Sequence, residues 1–224
     1  MSPKSKALNS YIADIKARNK EFDAMSPAGK RVQIAKDVIQ LTKLGFLTIT
    51  AGTYFRTNPV EGCELLGWDY GDGTEAPKRG PSYRGDEDAR EVLASDDVIS
   101  CNVCGKGAAV VAAIMCRNSE LLEEVDGDDC PMEFEFGQFQ LIEAFFEGYI
   151  LEEDDADSIG NYSIVDRDGD AVPTSQIGQA WRCLEENKDD QVRLLTIFEN
   201  IAANNGDFDP TKLKGVVPME DAGY

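Results

Sequence analysis

A mainly helical α+β domain is the fold class this sequence predicts, and three observations predict it. Apolar residues recur at spacings of three and four through most of the long segments. Helix-starting and helix-stopping residues bracket several of those segments. Strand or hairpin character is confined to two short stretches, 46 to 57 and 161 to 173. With 224 residues, 42% of them hydrophobic, the chain is long enough to bury one sizeable core. A single domain over 1–224 is therefore expected, made of a basic helical hairpin (1–45), a long Gly/Pro-rich loop (67–86) and an acidic helical body (87–224).

The first segment, KALNSYIADIKARNKEF, sets Leu8, Tyr11, Ile12, Ile15 and Phe22 on one face of a helix whose outer face is basic. In SPAGKRVQIAKDVIQLTKLG, Ser26 suits a cap, Pro27 the first helical position and Gly45 the stop. FLTITAGTYFRT, rich in threonine, aromatic and branched residues, reads as a strand broken at Gly52. The loop GWDYGDGTEAPKRGPSYRGD carries Trp68, Tyr70 and Tyr83 beside Lys78, Arg79 and Arg84. Loops of this length are binding elements or mobile linkers, and both readings stay open.

DEDAREVLAS begins a short helix, and NSELLEEV is expected to be another, with Ser119 as its cap. GQFQLIEAFFEGYI places Phe139, Ile142, Phe145, Phe146 and Tyr149 along one side, as expected of a core helix. NYSIVDRDGDAVP reads as a hairpin turning at Asp168-Gly169. Two closing helices are expected near 176–186 and 189–204, the second stopping at Gly206.

The chain has no histidine. That excludes Ser-His-Asp and Cys-His catalysis, HExxH hydrolases and any zinc site not built from cysteine or carboxylate. No GxSxG, kinase or deaminase signature occurs, and carboxylate acid–base chemistry has no address among so many acids. A non-enzymatic protein is expected.

Net charge is −20 and unevenly placed: residues 1 to 60 hold 10 Lys and Arg against 4 Asp and Glu, while the remainder hold 12 against 38. An acidic body of this kind repels nucleic acid and anionic membranes. The longest apolar run, AAVVAAIMC, is far short of the roughly 20 residues a membrane span needs. With no signal segment, a cytoplasmic protein with free thiols is expected.

The stretch CNVCGKGAAVVAAIMC contains the chain's most specific spacing. Cys101 and Cys104, three residues apart, would face the same way on a helix, which suits a zinc half-site or a dithiol, with Cys63 as a distant third ligand. A thiol at a helix start has its pKa lowered. No second close pair of cysteines exists, so packing in a buried helix is the plainer reading. GKGAAV lacks the remaining glycine and the GK[ST] ending that phosphate loops need.

Asp166, Asp168 and Asp170 alternate like the first ligands of a calcium loop, but Ala171 and Ile177 stand where such a loop wants glycine and glutamate. A solvated turn is the plainer reading there. Glu152, Glu153, Asp154, Asp155 and Asp157 form the densest acidic run, a candidate contact for a basic partner together with Trp68 and Tyr70. Imitating a nucleic acid would require such carboxylates on a rigid face, whereas the sequence reads many of them as loop.

VISCNVCGKGAAVVAAIM, FGQFQLIEAFFEG, QVRLLTIFENIAANNGDFDP and AKDVIQLTKLGFLTITAGTYF resemble segments of small accessory proteins of tailed bacteriophages. The resemblance implies a viral factor acting in a bacterial cytoplasm and assigns no residue a role. The function expected is that of an acidic binding protein that engages or inhibits a host protein, with imitation of nucleic-acid charge as one route. No cofactor is expected on that reading. The alternative is a small cysteine-based metal-binding or redox protein, with zinc or calcium as its ion.

Overall fold

The computed structural model describes residues 5–52, 55–59, 92–93, 95, 98–117, 122–125, 128–131, 136–166 and 168–222. They fold mainly into helices around a small sheet, as the sequence predicts. The 67–86 loop, with Trp68 and Tyr70, lies outside the described residues, as does Cys63. So does most of the helix expected after Asp86, of which Val92 and Leu93 are seen as helical.

Helix α1 (Lys6–Ala17) starts where the Ser5 hydroxyl accepts the Leu8 N–H at 3.1 Å. It does not run on to Phe22 as expected. The backbone leaves helical geometry at Arg18, and a separate turn, α2 (Asn19–Asp23), brings Phe22 into the core. Helix α3 (Pro27–Lys43) has the expected Ser26 cap and N-terminal proline. It closes with Phe46 N–H on Leu41 C=O at 2.9 Å and Gly45 at φ 73°, the left-handed stop that glycine allows.

Strands β1 (Leu47–Ile49), β2 (Phe55–Pro59) and β3 (Val98–Val103) form one sheet in the order β1-β3-β2. β3 runs parallel to β1 and antiparallel to β2, with Cys101 opposite both Leu47 and Thr57. The break between β1 and β2 falls at Gly52, φ 74°, as the sequence indicates. Cys101 thus lies in the central strand rather than in a helix.

From β3 the chain enters α4 (Gly105–Cys116), in which every residue is buried. Its side chains are small because neighbours approach from all sides. A Cβ on Gly105 would sit 3.1 Å from Ile142 Cγ2 of α5 (Phe136–Glu147). Between α4 and α5 a helix was expected over NSELLEEV, but Leu122–Val125 is a strand, β4, paired antiparallel with β5 (Asp128–Pro131). In the sequence they are joined by Asp126-Gly127, one of the dipeptides that favour a two-residue hairpin. Cross-strand hydrogen bonds there outweigh a helical pattern only two turns long.

Past α5 come α6 (Glu153–Ile159), a short β6 (Tyr162–Ser163), α7 (Ile177–Cys183) and α8 (Asp190–Ala203), and the short β7 (Val217–Pro218) pairs back with β6. The last two helices fall close to the expected positions. Helices α5 and α7 touch backbone to backbone: a Cβ on Gly178 would lie 2.5 Å from Ala144 O. Phe145 packs between Trp181 and Phe208, with ring centres 5.7 and 5.4 Å away. The buried apolar side chains form one cluster from Leu8 to Val216. No helix among the described residues is long and apolar enough to cross a membrane.

Candidate partner-binding surface

Tyr149 was expected on the buried side of α5, yet the helix stops before it. Gly148 ends α5 with φ 81°, its N–H bonded to Ala144 C=O at 2.9 Å. A side chain there would be strained by that φ, and its Cβ would come 3.1 Å from Arg182 Cδ. The reversal directs the next two residues outward: Tyr149 is 57% and Ile150 64% exposed.

That segment is pinned at both ends. Arg182 Nη1 donates to Glu147 C=O just before it. Leu151 N–H donates to Ser175 C=O at 2.7 Å just after it, with the Leu151 side chain buried. Two large apolar side chains are therefore held in solvent on a fixed backbone, the arrangement in which an aromatic anchor loses little entropy on contact.

The acidic run follows immediately. Glu152 occupies the N-cap position of α6, and Glu153, Asp154 and Asp155 fill its first turn, where the helix dipole favours negative charge. Ile159 anchors the other end in the core, and Gly160, φ 75°, terminates the helix. The acids expected in a loop are thus on a helix, which fixes their spacing. Glu152, Glu153, Asp154, Asp155 and Asp157 form no ion pair with any described residue. Partial burial, with the neighbouring charges of Glu152 and Asp154 adding to it, pushes the Asp155 carboxyl above its ordinary range.

Behind this surface the turn after β1 is tied in place. Gly52 N–H donates to Glu147 Oε1 at 2.9 Å and Ala51 N–H to Asp190 Oδ2 at 3.3 Å. Burial raises the Glu147 carboxyl, against the pull of the Gly52 amide and Arg182. Arg193, fully buried, donates to the carbonyls of Phe146 and Asn187 and to Asp190 Oδ1, joining α8 to the end of α5.

The two near cysteines are placed differently from each other. Cys101 is buried in β3, and Cys104 is the N-cap of α4, its Sγ accepting Gly107 N–H at 3.4 Å. The helix start does not activate that thiol. Burial pushes it up to about 12, with Glu143 and Glu147 adding to the shift. Neither forms a disulfide with a described residue. Among the described residues no group of three or more Cys, Asp or Glu is arranged to hold a metal ion.

The DRDGD segment is the expected turn. Asp166 Oδ1 accepts the N–H groups of Asp168 at 2.9 Å and Asp170 at 3.0 Å, Gly169 takes φ 89°, and Val165 bridges to Ala171. The Asp166 carboxylate is thus engaged by its own backbone, and the other two point to solvent as exposed side chains.

Tyr149 and Ile150 are the surface residues that the periodicity concealed. The signal was Gly148, a glycine one residue past the last strong helix former. Comparison with protein-family models, with curated proteins and with solved structures finds no match for this chain.

Proposed function

We propose that this chain is a non-enzymatic binding protein that engages a basic surface on another protein through α6 and the adjoining Tyr149–Ile150 pair. The observation that carries the reading is the juxtaposition of five carboxylates without ion-pair partners among the described residues and two solvent-exposed apolar side chains on one pinned segment. A cationic surface would relieve the mutual repulsion around Asp155, while the apolar pair would supply the desolvated centre of a contact. The helix also fixes the spacing of these carboxylates, which supports imitation of nucleic-acid charge as one route. On the bacteriophage resemblance the partner is a host protein, and occupying its basic groove would inhibit it.

The test is capture from a bacterial lysate by the wild-type chain, a Tyr149→Ala/Ile150→Ala variant and an Asp154→Lys/Asp155→Lys variant, at low and high salt. A basic protein retained by wild type at low salt, lost with the lysine variant and weakened with the alanine variant is the expected result. Equal capture by all three proteins, or capture of nothing basic, would remove the reading.

A further inference from the structure

The hairpin of α1 and α2 is docked on the rest of the fold by a few apolar side chains, Leu8, Ile15 and Phe22, and by a polar network at their centre. Asp37 of α3, 2% exposed, accepts Arg117 Nε on Oδ2 at 2.9 Å and Arg117 Nη2 on Oδ1 at 3.1 Å. Tyr11 Oη donates to the same Oδ1 at 2.9 Å. The Arg117 guanidinium, in the residue that follows α4, lies 4.5 Å from the centre of the Phe22 ring.

The network is asymmetric. Asp37 and Arg117 pair α3 with α4 directly, whereas Tyr11, Phe22 and the charge of Arg18 between α1 and α2 add to that pair from outside. If the hairpin lifts, the two charges keep each other and gain water, so no buried charge is orphaned. Lifting α8 would instead strip the buried Arg193 of its acceptor on α5, the Phe146 carbonyl. The docked hairpin also carries a cost of its own, since Asn19 Oδ1 is buried with no hydrogen-bond partner among the described residues.

Cys116 provides the marker. It is fully buried, precedes Arg117 and is the last residue of α4, the helix against which α1 packs. Cys101, between β1 and β2, and Cys104, against α5, are covered by other elements.

We propose that α1 and α2 form a strap that undocks as one unit from an otherwise folded protein, with the Tyr11–Asp37 hydrogen bond as its catch, and that undocking opens Cys116 while Cys101 and Cys104 stay covered. Sub-global opening of this kind is sampled well below the free energy of complete unfolding.

The experiment is thiol labelling of the full chain in native buffer, resolved by residue with mass spectrometry, together with amide exchange over residues 6–23. Wild-type Cys116 is expected to label faster than Cys101 and Cys104. Tyr11→Phe removes the catch and keeps the ring, and is expected to speed Cys116 labelling about tenfold or more while the other two rates hold. Exchange over 6–23 should accelerate by the same factor. If Cys116 labels only together with Cys101, or if Tyr11→Phe speeds all three thiols equally, the hairpin is an inseparable part of the core and the proposal is wrong.

Discussion

Arg117 and Asp37 show how much a single side chain decides here. Arg117→Met leaves the Asp37 carboxylate buried without its cation and should destabilise the protein by about 3–5 kcal/mol. The double variant Asp37→Leu/Arg117→Met removes both charges and should recover most of that loss, which urea denaturation of the three proteins will show as a strong coupling between the sites. Gly178→Ala tests a different constraint. Its Cβ meets the Ala144 carbonyl, which is backbone and does not yield, so α5 and α7 must separate at a cost of about 1–3 kcal/mol. A glycine within a helix looks like a weakness in sequence, and only the neighbour at its surface explains it.

The α6 helix carries opposing electrostatic effects. The dipole at its N-terminus favours Glu153, Asp154 and Asp155, while crowding and partial burial disfavour charge at Asp155. Partial burial and, after it, the charges of Glu152 and Asp154 win at Asp155, since its carboxyl is held above the ordinary range. Asp155→Asn is therefore expected to stabilise the fold by a few tenths of a kcal/mol, about the size of a like-charge pair on a helix, as read from the thermal midpoint. The same variant should weaken partner capture at low salt. A residue that costs stability and strengthens a contact is what a binding surface contains, whereas acids serving solubility alone would show no such opposition.

The whole molecule has a net charge of −20, and its pH response follows from that and from particular groups. Glu147 and Asp155 have folded-state pKa values above their ordinary ones, so the folded state takes up protons before the unfolded chain does. Their contribution is complete at low pH and is lost as pH rises through the folded values. Asp209, raised by burial but brought lower overall by Thr211 and Lys212, contributes in the opposite sense, and its share is lost only as pH falls below about 4. Self-repulsion also declines on acidification. The thermal midpoint is therefore expected to rise from pH 8 towards pH 5 and to fall below about pH 4. Added salt at pH 8 should raise it as well. A midpoint that falls steadily from pH 8 to 5 would contradict this balance.

Periodicity, caps and composition by themselves determined that the chain is mainly helical, where α3, α8 and the DRDGD turn lie, that the segment after Cys104 is a buried helix, and that no histidine chemistry is available. These properties are local: a capping hydroxyl, a stop glycine or an apolar stripe acts within a few residues of itself. The tertiary structure decided what depends on distant neighbours. Leu122–Val125 became a strand because a partner strand was in reach, and Cys104 became an inert cap because burial overrode the helix start. Tyr149 and Ile150 became a surface because Gly148, held against Arg182, turned the chain before the apolar face could continue. Neither pairing, desolvation nor close packing has a signature in the residues that experience it, since each is a property of what arrives from elsewhere in the chain.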